Sequence, residues 1–391
     1  VSPLPAFAET LVGGMVPDGY HFKASDSPYR FSDTVLIDEK STVTIDAGAN
    51  LVAPSGKPLF WNLGRLIVHG TSDLAVSIQG NGNGFCKIAN APKTASIEVA
   101  HALFSNVGNL ILSPTNEVSI SVEDSELSAT PIDVWYPSSL VIERNVFING
   151  GGIKFGFDRR GKSQGVSIKN NLFLGDGTMY PFVTQAKSTL WITAWATYGE
   201  PAYIAGNSFQ GLANPAIAAS VDGSIVAQGN YWGTLDQQLI QSFVLDKSDS
   251  FDWKTLIDTS NALAAPNPST PTGSILQKQQ AAKAAAEAKA AADAKAALLP
   301  AEAWPGLFPS YLQAGKTTDI SFTFANAAGN LAEGTVVLFE AQGAGMIAIP
   351  KAVTDASGIA TAKVITRGQG PLIVKATAVT GKAQAQAQLT V

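Results

Sequence analysis

Asn230-Tyr231-Trp232-Gly233-Thr234 closes a ladder of look-alike phrases, and reading backwards from it decides the fold. Ser224-Ile225-Val226-Ala227-Gln228-Gly229 leads into it. Before it stand Tyr203-Ile204-Ala205-Gly206-Asn207-Ser208-Phe209, Val166-Ser167-Ile168-Lys169-Asn170-Asn171-Leu172-Phe173 and Val141-Ile142-Glu143-Arg144-Asn145-Val146-Phe147. Weaker copies occur at Val122-Glu123-Asp124-Ser125-Glu126-Leu127 and Val99-Ala100-His101-Ala102-Leu103-Phe104. The terminal residues fall at 104, 127, 147, 173, 209 and 232, so most steps are 20 to 26 residues. A period of that size reads as a solenoid, in which each unit buries its apolar face only against its neighbours.

The chemistry of the repeat selects the kind of solenoid. Val and Ile alternate with polar residues in every unit, and no unit carries a helix-length apolar period. A short strand, a turn at Asn and an inward Phe or Trp stack coil on coil as a parallel β-helix. Asn tolerates a left-handed backbone at the turn, and stacked Asn amides can bond to one another along the axis. The competing reading is a β-sandwich with coincidental Asn-x-Phe phrases.

Residues 25–260 resemble the right-handed parallel β-helix repeat family at both ends. Ser25-Asp26-Ser27-Pro28-Tyr29-Arg30-Phe31, Val43-Thr44-Ile45-Asp46-Ala47-Gly48-Ala49 and Leu66-Ile67-Val68-His69-Gly70-Thr71 are similar to its opening coils. The Asn230 to Thr234 phrase, followed by Leu239-Ile240 and Asp246 to Asp252, resembles its exit. The resemblance implies a fold and leaves function open, since that family spans lyases, hydrolases, adhesins and phage spikes.

The totals narrow the field. A chain of 391 residues with 46% hydrophobic content can build more than one core. Only 15% of residues are charged, and Gly and Pro number 36 and 21, a turn-rich profile typical of extracellular β proteins. The net charge of −5 comes without a Lys/Arg cluster, which argues against nucleic-acid binding. A single cysteine, Cys86, leaves neither an internal disulfide nor a multi-thiolate zinc site. No uncharged apolar run reaches the roughly 18 residues a membrane-spanning helix needs. Val1-Ser2-Pro3-Leu4-Pro5 lacks a basic segment and an apolar stretch, so no secretory leader is visible. If Val1 lies near the encoded start, extracellular-type domains without a leader point to a virion protein.

Five segments are expected. Residues 1–24 cap the first coil or dock another subunit, and residues 25–260 form the β-helix. Residues 261–273, with Pro266, Pro268 and Pro271, form a stiff extended linker. Residues 274–299 are Ala-rich and strongly helix-forming, supported by Lys283–Glu287 and Lys289–Asp293 at i,i+4 and ended by Pro300. Ala281, Ala285, Ala288, Ala292 and Leu299 fall on heptad a and d positions, so the helix is either a short trimeric coiled coil or a solvated spacer. Residues 308–391 carry about seven short strands with turn signals between them, which reads as an Ig-like sandwich. Asn326-Ala327-Ala328-Gly329-Asn330 and Thr354-Asp355-Ala356-Ser357-Gly358-Ile359-Ala360 resemble bacterial Ig-like domains of the invasin/intimin type.

Candidate chemistry is sparse. His21, His69 and His101 are far apart in sequence, and no nucleophile elbow, zinc-protease or phosphate-loop motif occurs. Sugar cleavage needs two carboxylates about 5–9 Å apart, or acidic residues around calcium beside a basic group. The aligned candidates are Asp124 with Glu143, and Asp133 with Asp158 beside Arg159 and Arg160. Glu143 also aligns with Glu123, a like-charge stack typical of a solvated face. Trp135, Tyr136, Tyr180, Trp191, Trp195 and Tyr198 gather where one step stretches to 36 residues. They form a candidate glycan or partner surface, with core packing or a subunit interface as the alternative.

The expected function is therefore a non-enzymatic structural or attachment protein, a phage spike, fibre or decoration component acting as a homotrimer without cofactors. A bacterial surface or secreted adhesin is the second reading, and a polysaccharide lyase or hydrolase the third. Partners are other virion or cell-surface proteins and surface glycans.

Overall fold

The computed structural model describes residues 9–53, 56–88, 91–113, 118–135, 137–157, 165–175, 190–194, 202–211, 215–219, 225–249 and 255–391. Of the described residues 47% are strand and 10% helix, and the first part of the chain is a parallel β-solenoid of about eight turns. It divides into two compact units, residues 1–280 and 281–391.

Three parallel ladders make up the solenoid. Ladder A runs from Tyr20–Phe22 through Thr42–Asp46, Arg65–His69, Ser96–Ala100, Ser119–Glu123, Ser139–Glu143, Val166–Lys169, Ala202–Ala205 and Ile225–Val226 to Ile257–Asp258. Ladder B contains Asn50–Val52, Val76–Gln79, Ala102–Ser105, Glu126–Ser128, Val146–Ile148, Leu172–Leu174 and Ser208–Gln210. Ladder C contains Phe60–Asn62, Cys86–Lys87, Ile111–Ser113, Ile132–Trp135, Ile153–Phe157, Leu190–Ala194, Ile217–Ala219 and Val244–Leu245. The long strand Tyr29–Ile37 runs through the corner between B and C, pairing with one by its first residues and the other by its last. Residues 1–24 are expected to cap the first coil or dock another subunit; within them Thr10–Met15 pairs with Tyr29–Ile37, and Tyr20–Phe22 with Thr42–Asp46.

The repeat phrase is the corner between A and B. The last strand residue is followed by one in the left-handed region: His101, Asp124, Arg144 and Asn170 at φ of 52°, 50°, 56° and 56°, then Gly206 at 67°; on the last rung Gly229, three residues after Val226, takes it at 66°. The next residue turns inward: Ser125, Asn145, Asn171, Asn207 and Asn230, each 0% exposed. The expectation that these asparagines themselves take the left-handed turn is thus corrected. The preceding residue turns the chain, and this frees the Asn side chain to face the neighbouring rung.

There the amides interlock. The Asn207 Oδ1 accepts from the Asn171 backbone N–H at 2.9 Å and from its Nδ2 at 3.0 Å. Asn171 does the same for Asn145 at 2.9 and 3.1 Å, and Asn230 for Asn207 at 2.9 and 3.0 Å. Each Nδ2 also donates backwards, as Asn171 does to the Ile142 carbonyl at 2.8 Å. Ser125 continues the row with a shorter side chain, accepting from the Ala102 N–H at 3.0 Å. Alongside, Phe147, Phe173, Phe209 and Trp232 stack with centroids 4.8, 5.0 and 4.8 Å apart and planes within 9°, 10° and 19°. That spacing is the distance of roughly 4.8 Å between neighbouring strands, so in-register pairing dictates the stack. The 36-residue step between Phe173 and Phe209 costs no rung, because Asn171 and Asn207 remain direct neighbours.

After Asp258 the chain does not leave as a free linker. The Leu263 N–H donates to the Asn230 carbonyl at 2.9 Å, and the hydroxyl of buried Thr270 donates to the Gly206 carbonyl at 2.8 Å. Residues 261–273, expected as a stiff, extended linker, thus lie on the flank of the coils. The path is not extended throughout: Pro268 lies in a turn in which the Thr270 N–H donates to the Asn267 carbonyl at 2.8 Å. The following helix is Ile275–Ala297. It ends short of the expected Leu299, because a residue preceding proline is pushed out of the helical region.

Residues 300–391 form two four-stranded antiparallel sheets. One orders Pro300–Pro305, Thr317–Asn326, Ile359–Thr366 and Gly345–Ile347; the other Lys351–Val353, Val336–Gly343, Pro371–Ala378 and Gln384–Thr390. Ile320, Phe322, Phe324, Val337, Phe339, Val364, Leu372 and Val374 fill the space between them. The sandwich begins at Pro300, ahead of the expected residue 308, because Pro300–Pro305 pairs with Thr317–Asn326. The turn phrases work as read. Asn326 Oδ1 accepts from the N–H groups of Ala328 and Asn330 at 3.0 Å each, and Asp355 Oδ1 from those of Ser357 and Ile359 at 2.8 and 3.0 Å.

Asn171→Ala strips partners from the buried Asn145 N–H, the Asn207 amide and the Ile142 carbonyl. It is expected to cost on the order of 3–5 kcal/mol in urea unfolding. Asn171→Ser, which keeps an acceptor as Ser125 does, is expected to cost clearly less. Equal losses for both would show that the amide ladder does not hold the corner.

Candidate functional site

The outer surface of the solenoid near residues 119–169 gathers most of the side chains nominated for chemistry. Register places Glu123 beside Glu143, and Glu143 beside Lys169. The left-handed turn at Arg144 lays its guanidinium across the carboxylates of its own and the preceding rung. Nε and Nη2 donate to Asp124 at 2.8 and 2.9 Å, Nη2 also to Glu123 at 2.7 Å, and Nη1 to Glu143 at 3.2 Å. Hydroxyls fill the remaining positions, Ser121 donating to Glu123 at 2.9 Å and Ser167 to Glu143 at 3.2 Å. Hydrogen bonding to Asp124 above all, then to Glu123, raises the Arg144 guanidinium further above its already high value. Asp124 and Glu143, paired by sequence as candidate cleavage carboxylates, therefore share one arginine. Hydrolysis needs one carboxyl holding a proton and another free to attack or activate water. Two carboxylates accepting from one guanidinium are arranged for bonding rather than for that division of roles.

Asp133 finds a different partner from the one its sequence suggested. Ladder C sets it in register with Lys154, whose Nζ donates to Asp133 Oδ2 at 3.2 Å. Both side chains are largely shielded, 15% and 9% exposed respectively, although they sit at outward positions between inward Ile132, Val134, Ile153 and Phe155. Burial pushes the Asp133 carboxyl up from its ordinary range, opposed by the nearby Lys154 ammonium. Asp158, Arg159 and Arg160 lie outside the described residues.

The same ammonium lies 5.0 Å from the ring centroid of half-buried Trp135, a cation–π contact that occupies one face of the indole. Trp61 and Lys87 repeat the arrangement at 4.9 Å further up the ladder. Of the other nominated aromatics, Trp191 belongs to Leu190–Ala194 and pairs in register with Lys154. Tyr136, Tyr180, Trp195 and Tyr198 lie outside the described residues. Tyr203, which the sequence did not single out, is 46% exposed on ladder A beside Ser167.

The three histidines are less scattered than their numbering suggests. His21 Nδ1 bonds Asp46 Oδ1 at 2.9 Å, and Asp46 is the register neighbour of His69. Among the described residues, no group of three His, Cys, Asp or Glu side chains converges as a metal site. Cys86 is buried, and desolvation pushes its thiol well above the ordinary range, a packed rather than a reactive cysteine. The proposed seam residues Ala281, Ala285, Ala288 and Ala292 are all exposed on their helix, and Leu299 lies beyond its end.

Arg144 and Lys154 were missed by sequence reasoning, yet both carried a signal. Arg144 stands immediately before Asn145 in the repeat phrase. Lys154 follows Asp133 by 21 residues, close to the 20-residue step from Leu127 to Phe147.

No family model matches the sequence, and no curated protein does. Among solved structures, one described as the D00-D0 domain of intimin matches at 20% identity and a TM-score of 0.20. The match covers 24% of this chain and 46% of that structure. The Ig-like form of residues 300–391 stands on their own two antiparallel sheets. No helix among the described residues is long and apolar enough to cross a membrane.

Lys154→Met leaves the buried Asp133 carboxyl without its cation. Desolvation is then opposed only by the hydrogen bond from Trp135, and the carboxyl should titrate at a pH still higher than in the wild type. A carboxyl raised in the folded state favours folding at low pH, and that contribution fades as pH rises through its folded value. The variant should therefore lose more stability at neutral than at acid pH. Carbon-detected NMR titration of Asp133 checks the shift, and an unchanged titration would mean Lys154 is not its electrostatic partner.

Proposed function

We propose that the protein is a non-enzymatic structural and attachment component, a solenoid body carrying an Ig-like unit on an Ala-rich helix. Its proposed setting is a phage virion, as a spike, fibre or decoration component assembled as a homotrimer, with surface glycans or other surface proteins as partners. The observation that carries this reading is the use of the outer acidic side chains. Arg144 binds Asp124, Glu123 and Glu143 together, and Lys154 is spent on Asp133. Side chains in a shape-holding body are consumed by cross-rung bonding in this way, whereas a cleavage site keeps acid and base separately poised. A stacked core lined by amides and rings gives stiffness, and an Ig-like module displays surface without needing catalytic residues.

Three measurements test this. Antibody labelling and proteomics of purified virions should find the chain in the particle; finding it instead on bacterial surfaces would favour the adhesin reading. Sedimentation velocity should give three copies, and a monomer would remove the trimer. Capsule and pectin polysaccharides should survive incubation with the protein. Depolymerisation that disappears in Asp133→Asn would replace this reading with an enzymatic one.

A further inference from the structure

Outward positions on ladder B are buried where they ought to face solvent. Val146 and Leu172 alternate with inward Asn145, Phe147, Asn171 and Phe173, so they point away from the interior. Both are nevertheless at most 1% exposed, and neither belongs to the interior core cluster. Glu126 and Ser208 occupy the same position on neighbouring rungs, with exposures of 3% and 0%.

The segment after the last coil is bonded to the rungs on either side of Val146 and Leu172. It is held at the Asn230 carbonyl through Leu263 and at the Gly206 carbonyl through Thr270, and it then reaches Glu126. There one carboxylate oxygen, Oε2, accepts from the Ser274 hydroxyl at 2.8 Å and from the N–H groups of Ile275 and Leu276 at 2.7 and 3.2 Å. One turn further on, Gln279 Nε2 donates to the Ser72 carbonyl at 3.0 Å. The path runs backwards along the solenoid. Gly206 and Glu126 lie three rungs apart, about 14 Å at the spacing between strands. Four residues from Thr270 to Ser274 can span up to about 13–14 Å, enough for Pro271, Thr272 and Gly273 to pass the Val146 and Leu172 rungs.

Apart from Ala262, which packs against the interior core, little apolar burial secures the segment. Thr270 is its one fully buried residue; Pro266, Pro268 and Leu276 are exposed, and Leu263, Pro271 and Ile275 are only half-buried. A stretch held by hydrogen bonds with few apolar contacts opens at a lower free energy than the core beneath it. Its strongest attachment is a buried carboxylate at a helix N-terminus, where the charge meets free N–H groups and the positive end of the helix dipole.

We infer that residues 262–280 form a clasp that opens as a unit separate from the solenoid, with the Glu126 carboxylate as its latch. Closed, it fixes the start of helix Ile275–Ala297 four rungs back from Asn230, about 19 Å along the axis. Open, the 13 residues from Asn261 to Ser274 allow that start to lie up to about 44 Å from Asn261. The clasp therefore sets the reach of everything that follows Gln280. This inference does not rest on the proposed function and holds in any setting.

Hydrogen exchange on the full chain, followed by mass spectrometry, tests it. In the wild type, peptides covering 262–277 should exchange before those covering ladder strands Ser139–Glu143 and Val166–Lys169. Glu126→Ala should speed exchange in 262–277 by about tenfold to a hundredfold, the effect of losing bonds to a buried charge. Glu126→Gln, which keeps an acceptor oxygen, should fall between. Because Glu126 belongs to a ladder strand, Ser274→Ala and Thr270→Val provide variants on the clasp side that leave the solenoid sequence intact. Each should speed exchange in 262–277 severalfold while the ladder peptides stay at wild-type rates. Exchange of the segment in step with the ladders in the wild type would overturn the inference. So would clasp-side variants that accelerate the ladders equally.

Discussion

A buried polar corner has to be satisfied on every rung, and the rest of the solenoid follows from how that is done. At the corner between ladders A and B the chain turns inside the protein, where an unpaired backbone N–H costs about 1–3 kcal/mol. The solution is a side-chain amide that accepts from the N–H of the rung before it and donates to that side as well. Asn145, Asn171, Asn207 and Asn230 do this in series. The series works only if successive rungs stay in exact register, since each amide bonds one neighbour on either side. The same register then places Phe147, Phe173, Phe209 and Trp232 face to face. The aromatic stack is thus a consequence of the amide row, and both end where the repeat phrase loses its Asn. Toward the N-terminus Ser125 and Ala102 replace it, and the rings of Phe60, Phe85 and Phe104 meet edge-on, at 69° and 81°.

That constraint explains what the sequence reveals. The Asn-x-Phe phrase is legible because two inward positions separated by one residue must each meet a demand that few side chains satisfy. The left-handed residue before them is not legible in the same way. His101, Asp124, Arg144, Asn170, Gly206 and Gly229 share a backbone conformation but no side-chain type. The glycines, Asn170, Asp124 and His101 are residue types enriched in that conformation, and Arg144, which bonds carboxylates on the surface, is the exception. The outward residue between Asn and Phe is the least legible. Glu, Val, Leu and Ser occupy it in turn, and at Glu126 what it touches comes from Ser274, 148 residues further along.

The candidate site shows the same limit. Solenoid alignment correctly brings Glu123 against Glu143, and the offset of one step brings Lys154 to Asp133. Alignment does not say which of several charged residues in the next rung will bend towards a given carboxylate. Asp133 was read with the Asp158 to Arg160 cluster because that cluster is conspicuous in sequence, whereas Lys154 lies concealed in the alternating run Ile153-Lys154-Phe155. Strand alternation alone points Lys154 outward, and nothing in that pattern predicts that it will be buried there.

Prolines misled in an instructive manner. Pro266, Pro268 and Pro271 enforce an extended backbone, and an extended, stiff segment between two domains reads as a spacer. Extension is equally what a chain needs to cross parallel rungs at close to 4.8 Å per step, since one residue in extended form covers most of one step. The extended reading fails at Pro268, which sits in the Asn267–Thr270 turn, and the path of the segment is decided by groups elsewhere: a carbonyl at Gly206 and a carboxylate at Glu126. Glu126 belongs to the weak repeat copy Ser125-Glu126-Leu127, where a charged residue in place of Val or Leu looks like a degraded unit. In the folded chain that departure from the repeat is what receives the N-terminus of the long helix, so the imperfection in the repeat and the position of the helix have a single cause.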